Sequence, residues 1–436
     1  MTVGRHADDA RENVLWDHTA PPGPETSRLE GEAEAKVAVI GAGIAGLSTA
    51  LHLATAGISV VVLEAGDIGG GATGRSGGLI APDFIRHTPD QVEGEAGPDR
   101  GEALVRMIGG SAAYCFDLIS EYGLECEAAQ NGFWTPAHNE RVAESLRTRV
   151  RQWQARGFGA RYADQEETAR TLGTDRYCGA LVLADGGTLN PLAFARGLAR
   201  VAIEKGVAIF ENNPVHSLER QGGTWRLNTA DGPVTARQLV LAANGGNGQL
   251  HPGMRGVVMP LDVIEYATRT LDTNRYPMLE NGASFTDKQP YVFTGRFDAE
   301  RRLIAAFPDF AIPRSRRVLE YEARTRVRQH FPHCSDVEIE FLWPGRAWLN
   351  SDLLPRVYDL GDSALAIQAC NGRGLSVNTV LGAELARAIA NEDYAGLPVA
   401  PNRPQPIRGF AIARHVPTLL MLYAHLRSKI TRAFTR

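Results

Sequence analysis

The fold of this chain is decided by one short stretch, Lys36 to Gly46, which reads KVAVIGAGIAG. A β-branched run ends there in a Gly-x-Gly-x-x-Gly motif, and apolar residues then recur at helical spacing until Gly57. A second apolar run, 58–63, ends at Glu64. This order predicts a β-α-β unit of about 30 residues with parallel strands.

The glycine spacing is typical of a dinucleotide-binding turn. Gly41 permits the tight turn, Gly43 lets a pyrophosphate approach the backbone, and Gly46 lets helix and strand pack closely. The helix N-terminus supplies amide donors and a positive dipole, and Glu64 is placed to accept ribose hydroxyls. This motif is compatible with either NAD or FAD.

Glycine becomes unusually dense directly after Glu64. The segment 68–78, IGGGATGRSGG, contains six glycines and is too flexible for a regular element. It suits a backbone that runs close to an extended flavin nucleotide, with Arg75 near a phosphate. The segment therefore favours FAD, and a merely flexible loop is the alternative.

Residues 64–78 resemble the signature of the FAD-dependent D-amino-acid oxidase superfamily, in particular the branch of gamma-glutamylputrescine oxidases and related amine oxidoreductases. That branch usually has GASGRNGG where this chain has GATGRSGG at 71–78. Further matches follow in the family's order over about residues 35–395, at 190–195 with 206–207 and 215, at 240–245, at 343–355, and at 371–374, where NGRG replaces the usual SGHG.

The resemblance implies an α/β fold, in which a discontinuous FAD-binding Rossmann-like domain of the glutathione-reductase type carries an antiparallel-sheet substrate domain. The expected boundaries are 1–34 for an N-terminal arm, 35–110, 180–250 and 345–400 for the FAD-binding domain, 111–179 and 251–344 for the substrate domain, and 401–436 for a basic amphipathic C-terminal helix.

The resemblance also implies non-covalent FAD. Cys370 is expected to be a small buried residue, and 346–350 lacks the cysteine that sarcosine-oxidase-like relatives use for a covalent link. A helix beginning near Ser376 is expected to point its N-terminus at the flavin pyrimidine and to stabilise the reduced anion. The expected cofactor contacts are Gly41, Gly43, Ile44, Ala45, Gly46, Glu64, Ala65, Ala72, Thr73, Arg75, Ser76, Gly77, Gly78, Leu79, Val215, Ala243, Asn244, Gly245, Gly372, Arg373, Gly374, Leu375 and Ser376.

The implied reaction is oxidation of the C–N bond of an amine or amino acid by hydride transfer to flavin N5, giving an imine that hydrolyses. Arg373, Tyr266 and Tyr291 are the expected catalytic-site residues, and a surface role for Arg373 is the alternative. Further candidates are Phe293 and Trp343 as pocket walls and Arg269 and Arg296 as carboxylate binders, with sheet packing or a surface position as the alternatives.

The electron acceptor stays open between O2, with H2O2 as product, and another acceptor. The strand at 302–305 lacks the lysine that speeds reaction with oxygen in some relatives, and Lys288 in its loop is a poor substitute. No metal is expected, because His330 and His333, expected near a helix end at the surface, have no partners at usable spacing. Two other functions stay open, a 2-hydroxy-acid or polyol dehydrogenase and a flavin-bearing partner protein without its own turnover.

Composition and charge narrow the classes of protein to which this chain could belong. The 436 residues are 44% hydrophobic and 22% charged, which indicates a globular chain of two or three domains. The net charge of −4 argues against a nucleic-acid partner. The five cysteines form no CxxC pair, which favours a reduced, cytoplasmic setting.

The two ends of the chain differ in charge. Residues 1–34 have a net charge of −5, and Trp16 is the residue placed to pin this arm to the body. Residues 408–436 carry six basic side chains and no acid. Apolar residues recur there at helical spacing, so we expect a helix docked on the body, with peripheral contact to an anionic membrane as the alternative.

Overall fold

The computed structural model describes residues 13–310 and 314–434. Its strands are β1 Ala33–Ile40, β2 Val60–Leu63, β3 Leu79–Ile80, β4 Phe133–Pro136, β5 Ala160–Ala163, β6 Ala180–Leu183, β7 Gly187–Thr188, β8 Ala208–Phe210, β9 Ser217–Gln221, β10 Thr224–Asn228, β11 Pro233–Leu241, β12 Met259–Thr270, β13 Ser284–Thr286, β14 Thr294–Phe297, β15 Arg302–Pro308, β16 Ile339–Leu349, β17 Arg356–Gly361 and β18 Ala364–Gln368.

The α-helices of the same residues alternate with these strands through most of the chain. They are α1 Leu15–Thr19, α2 Ile44–Thr55, α3 Pro89–Ala96, α4 Pro98–Tyr122, α5 Glu140–Ala155, α6 Gln165–Leu172, α7 Pro191–Glu204, α8 Asn247–Leu250, α9 Arg316–His330, α10 Gly374–Asn391, α11 Phe410–Ala413 and α12 Val416–Phe434.

The first sheet is the parallel one that the glycine motif predicts. Its order is β17-β18-β11-β1-β2-β8, and a β9-β10 hairpin continues from β11. β1 pairs in parallel with β2 and β11, so the turn at Gly41 and the end of β2 at Glu64 lie at one sheet edge. Helices α2, α4, α7 and α10 pack together over one face and enclose the largest apolar core.

The second sheet has the order β16-β12-β15-β14-β13-β4-β6-β5. Its pairs are antiparallel except that β13 runs parallel to β4. An aromatic-rich core lies behind it, where α9 and α12 contribute Val327 and Ala424. The fold therefore joins a parallel nucleotide-binding sheet to a separate, largely antiparallel sheet, as expected.

Two of the expected domain boundaries are wrong. The boundary between 110 and 111 falls inside α4, a continuous helix whose buried face packs against α10 of the first sheet's layer. Residues 180–183 form β6, which pairs with β4 and β5 in the second sheet. α4 is long and apolar enough to cross a membrane, but 56% of its most apolar window is buried, as in a core helix.

The first and last helices of the described residues, α1 and α12, pack on the body. Leu15 and Trp16 in α1 are fully buried against Trp343 and its neighbours, whereas the first twelve residues of the predicted arm lie outside the described residues. In α12, Ala424 is buried and the His425 ring lies 4.7 Å from that of Tyr291. The C-terminal helix is thus docked.

Candidate active site

A cavity of about 1040 Å³ lies between the two sheets. One side is formed by the carboxyl ends of β1 and β2, residues 69–79 and the N-terminus of α10, and the other by β12 to β15. Ligands of open parallel sheets bind beyond the carboxyl ends of the strands, and this position fits that rule. We call residues 73–79, which cross this interface, the flavin loop.

The three motif glycines differ in what surrounds them. Gly41 has a φ of 110°, which favours glycine. A methyl group on Gly46 would lie 2.0 Å from the carbonyl oxygen of Gly41, so helix and turn touch there. A methyl group on Gly43 would meet only the Thr73 hydroxyl, at 3.3 Å, because this glycine faces the cavity. The spacing thus serves the turn, the cavity and the packing separately.

Glu64 lies in the cavity wall at the end of β2. Its carboxylate accepts hydrogen bonds from the amides of Ala42 at 2.7 Å and Gly66 at 3.0 Å. Burial raises the pKa of Glu64, and these two hydrogen bonds oppose the shift. Each carboxylate oxygen keeps a second lone pair, so the group can still accept from ribose hydroxyls.

Two helix N-termini face the cavity and have no side-chain cap from their own N-cap residues. α2 begins after Gly43 and α10 begins after Arg373, and neither preceding residue caps the helix with its side chain. Helices α3, α5, α6 and α7 have a side-chain cap, for example Asn190 at α7, whereas α4 and α9 also lack one. At α2 the Thr73 hydroxyl already accepts from the Ile44 amide at 3.4 Å. The remaining first-turn amides and the positive dipole ends suit a pyrophosphate and an electron-rich ring.

A cluster of cations lies at one end of the cavity. Arg373 and Lys288 both line the wall, and Arg373 lies over the Phe133 ring at 5.3 Å. Behind them Arg149 donates to Asp83 at 2.8 Å. Among the described residues neither Arg373 nor Lys288 forms an ion pair, so the cavity keeps an excess of positive charge here.

The Lys288 ammonium donates to the carbonyl of Ile85 at 3.0 Å. Burial, together with the nearby charges of Arg149 and Arg373, lowers the pKa of Lys288 to about 7. The pKa of Arg373 is also lowered by burial, and its Nη1 has no hydrogen-bond partner among the described residues. Both groups would gain from an anion in the cavity.

A row of four side chains forms the floor of the cavity. Glu265 of β12 pairs with Ala306, and Thr294 of β14 pairs with Thr286. The register of β14 on β15 sets Thr294 beside Ala306, and all four side chains line the cavity. Three strand steps of about 4.8 Å give a row of about 14 Å.

Glu265 is the acid at one end of this row. A methyl group on Gly77 would lie 3.3 Å from its carboxyl oxygen, so the group sits directly beneath the flavin loop. It has no hydrogen bond among the described residues, and burial raises its pKa to about 8. The carboxylate of Asp287, also in the wall, already accepts hydrogen bonds from the backbone amides of Gln289 and Phe293. Glu265 is thus the unsatisfied acid of the floor.

Most of the residues predicted to contact the cofactor lie together in the cavity wall. They are Gly41, Gly43, Ile44, Ala45, Glu64, Ala65, Ala72, Thr73, Arg75, Ser76, Gly77, Gly78, Leu79, Val215, Ala243, Asn244, Gly372, Arg373, Gly374 and Leu375.

Three predicted contacts lie elsewhere. Gly46 packs behind the turn, as described above. Gly245 lies against the Trp348 ring, and a methyl group there would be 2.0 Å from it. Ser376 is 1% exposed, and its hydroxyl meets that of Ser111 at 3.0 Å inside the helical layer. These three residues therefore pack against other parts of the protein and do not line the cavity.

The predicted aromatic side chains do not line the cavity, and strand alternation explains this for Tyr266. Because Glu265 faces the cavity, Tyr266 faces the opposite side and is fully buried. Tyr291 and Phe293 belong to the same core behind the sheet, and the Tyr291 hydroxyl bonds Glu322 at 3.1 Å. Trp343 is buried behind the flavin loop. None of these four side chains lines the cavity.

The two arginines predicted to bind a substrate carboxylate lie outside the cavity wall. Arg269 is exposed and pairs with Glu338, and Arg296 is buried behind the flavin loop. Cys370, expected to be buried, is partly exposed and does line the cavity. His330 is 2% exposed and stacks on Phe293, contrary to the expected surface position.

Sequence reasoning missed Glu265 and discounted Lys288. To find Glu265, one must know which residues of β12 face the cavity. The role of Lys288 depends on the fold, which brings residues 85, 149, 288 and 373 together. The described residues hold no group of three or more metal-ligating side chains.

The family model described as FAD dependent oxidoreductase matches residues 36–388. The chain is 28% identical over 378 residues to the probable oxidoreductase OrdL of Haemophilus influenzae, covering 85% of each chain. It is 28% identical over 373 residues to the gamma-glutamylputrescine oxidoreductase of Escherichia coli, covering 84% of this chain and 87% of that one.

Solved structures show the same fold. The glycine oxidase of Geobacillus kaustophilus superposes with a TM-score of 0.70 at 18% identity, over 84% of this chain and 96% of that one. The L-proline dehydrogenase of P. horikoshii gives 0.72 at 18% identity, over 85% and 96%. With the match of the family model over most of its length, the chain belongs to the FAD dependent oxidoreductase family and uses FAD.

Proposed function

We propose that FAD lies in the cavity between the sheets without a covalent link. The cavity-facing Gly43 and the α2 N-terminus suit the pyrophosphate, Glu64 suits the ribose, and the uncapped α10 N-terminus suits the pyrimidine edge. Because Cys370 lines the wall, the absence of a covalent bond needs its own check. Flavin released completely by denaturation supports this part of the proposal.

The proposed reaction removes two electrons and a proton from the carbon next to an amine, and the resulting imine is hydrolysed by water. When bound, FAD supplies the hydride acceptor at N5. The residues of this chain bind the substrate, orient its C–H bond and exclude water. Only a neutral amine has the lone pair that this step requires.

The proposed substrate is an amine that also carries a carboxylate at some distance. The single observation that carries this proposal is the charge layout of the cavity, in which Arg373 and Lys288 lie beyond the Thr286 end of the floor and Glu265 lies about 14 Å from Thr286 at the other end. The cations suit the carboxylate. Glu265, as carboxylate, takes the ammonium and its proton, which leaves the amine neutral.

In an α-amino acid one carbon separates the amine and the carboxylate, whereas here the groups that suit them lie at opposite ends of the floor. A longer molecule fits better, and gamma-glutamylputrescine, in the name of one relative, is of this kind. A hydroxy acid would also suit the cations but would give Glu265 no ammonium to bind.

The test is anaerobic bleaching of the bound flavin. We expect gamma-glutamylputrescine to bleach it faster than putrescine or glycine, and Arg373→Ala to reduce that preference because it removes one carboxylate ligand. Bleaching by lactate alone would support a hydroxy-acid dehydrogenase. No bleaching by any of them would support a flavin-bearing partner protein.

The electron acceptor is decided by a separate measurement. β15 contains no lysine, but the cavity wall does contain Lys288. Hydrogen peroxide formed per turnover, compared with reduction of a dye, distinguishes an oxidase from a dehydrogenase.

We also propose that α12 makes peripheral contact with anionic membranes. One of its faces is docked, while Val416, Leu419, Leu420, Tyr423 and Leu426 are 40–63% exposed on the other. Residues 408–436 have a charge of +6, so the rest of the chain has −10, because the total is −4. The apolar face and the positive charge together suit an anionic lipid surface.

A further inference from the structure

Trp16 lies directly behind the flavin loop. Its side chain is fully buried, and its indole Nε1 donates to the carbonyl oxygen of Ser76 at 2.8 Å. The Trp343 ring meets it edge-on at 6.4 Å, and the Arg296 guanidinium lies 5.2 Å from its ring centre. A residue of the N-terminal arm therefore contacts the backbone of the loop directly.

Two neighbouring carbonyls of the loop are held in the same way. The Trp343 indole donates to the carbonyl of Arg75 at 3.0 Å. The Arg296 Nη1 donates to the carbonyl of Gly78 at 2.9 Å. Three side chains thus fix the carbonyl oxygens of the loop from the side away from the cavity.

The direction of a carbonyl sets the direction of the next amide. A trans peptide unit is planar, so its C=O and N–H point in opposite directions. Because the Ser76 carbonyl points at Trp16, the Gly77 N–H points away from Trp16. Gly77 and Gly78 both line the cavity, and neither amide has a hydrogen-bond partner among the described residues.

We propose that Trp16 is a positioning residue that aims the Gly77 N–H at the electron-rich edge of the flavin ring. A fixed donor there stabilises the reduced flavin more than the oxidised one, since reduction adds negative charge. This inference rests on the proposed placement of FAD. Trp16 lies outside residues 36–388, so the family match does not assign it.

The arm is anchored independently of the loop. Asn190 donates to the Thr19 hydroxyl at 3.1 Å, and Arg196 donates to the carbonyl of Pro21 at 2.7 Å. Loss of the Trp16 N–H should therefore leave the arm in place and free only the peptide between Ser76 and Gly77.

The test compares Trp16→Phe with Trp225→Phe in the full-length protein. Trp225 is also buried and donates to a backbone carbonyl, that of Asp362, at 2.8 Å, but it does not line the cavity. We expect Trp16→Phe to weaken FAD binding about five-fold, as loss of one hydrogen bond does. We also expect it to make the flavin reduction potential more negative, with both quantities unchanged in Trp225→Phe.

The potential is measured by equilibration with a redox dye and the affinity by recovery of flavin fluorescence, both without substrate. If Trp16→Phe has the wild-type reduction potential and the wild-type FAD affinity, the inference is overturned. The same result leaves the proposed FAD site intact, because FAD still binds. If Trp16→Phe does not fold, 3-benzothienylalanine at position 16 keeps the bicyclic shape and removes only the N–H. The same two shifts are then expected, and their absence again overturns the inference.

Discussion

Glu265 is a carboxyl group that folding moves from water into the wall of the cavity. Burial raises its pKa from 4.5 to about 8, so between these values the folded protein holds a proton that the unfolded chain has lost. Its contribution to stability is therefore complete below about pH 4.5, falls through this window, and is lost above about pH 8.

We expect Glu265→Gln to remove this pH-dependent loss of unfolding free energy. The loss in wild type amounts to up to a few kcal/mol at pH 8. Urea unfolding at pH 5, 7 and 9 measures it, with the exposed Glu338→Gln as the matched control. The variant should also lose most of the rate of flavin reduction by amines, because Gln cannot accept the ammonium proton. Equal slopes of stability against pH in wild type and Glu265→Gln would contradict the prediction.

Lys288 titrates in the opposite sense. Its folded pKa of about 7 lies below the 10.5 of the unfolded chain, so its destabilising effect is complete below about pH 7 and fades as the pH rises to 10.5. A bound carboxylate favours the charged form. We therefore expect glutarate to bind about ten-fold more weakly at pH 9 than at pH 6, since one charge-assisted hydrogen bond is lost.

Flavin absorbance perturbation by glutarate measures this affinity. Lys288→Met should bind glutarate weakly and with little pH dependence, and it should unfold at higher urea concentration than wild type at pH 6. A wild-type affinity that is equal at both pH values would show that Lys288 does not bind the carboxylate.

The turn between β1 and α2 contains one glycine needed for packing, Gly46, and one that faces the cavity, Gly43. Gly46→Ala places a methyl group 2.0 Å from a backbone carbonyl, so we expect a loss of about 3 kcal/mol in unfolding free energy. Gly43→Ala meets only the Thr73 hydroxyl and projects into the cavity. We expect this variant to keep the apoprotein's stability but to lose FAD affinity at least ten-fold.

Thermal unfolding of the apoproteins and FAD titration distinguish the two variants. Wild-type FAD affinity in Gly43→Ala would mean that no phosphate approaches this position.

Local patterns specify several elements well. The order of β1, the glycine turn, α2 and β2 follows from spacing alone, and the NGRG motif correctly predicts a long helix after it. The phase of β12 does not follow in the same way, because its two alternating sets have similar polarity: Leu261, Val263 and Glu265 on one face, and Asp262, Ile264 and Tyr266 on the other, each contain one acid. A shift of one residue exchanges the two faces, which is why the prediction of Tyr266 in the cavity is wrong.

Contacts between segments distant in sequence explain the site features that the sequence did not predict. Arg149, Lys288 and Arg373 are far apart in sequence, and only the fold brings the charges of α5, the β13–β14 loop and the start of α10 together. The sequence correctly predicts that Trp16 pins the arm, but its target, the Ser76 carbonyl, has no sequence signature.

At the scale of the whole molecule, α12 presents an apolar face to solvent beside the cavity that Met421 lines. We expect the full-length holoenzyme to sediment with vesicles of phosphatidylcholine and phosphatidylglycerol at low salt, and less at high salt or with phosphatidylcholine alone. Replacing Leu419, Leu420 and Tyr423 by Ser should abolish binding, because these side chains point away from the body.

The control replaces Val318 and Tyr321 by Ser, since these residues are similarly exposed on α9. Sedimentation that survives the triple replacement would contradict lipid contact through α12. A wild-type dimer that the triple replacement turns into a monomer would assign this face to a second copy of the chain instead.

The cavity takes its walls from both sheets, and this has a consequence for how the protein melts. A ligand that contacts both halves binds only when both are folded, so its binding energy is added to the stability of each and couples them. Saturating FAD should therefore merge separate calorimetric transitions of the apoprotein into a single one at higher temperature. The coenzyme would then act as a structural joint between the two halves as well as an electron carrier.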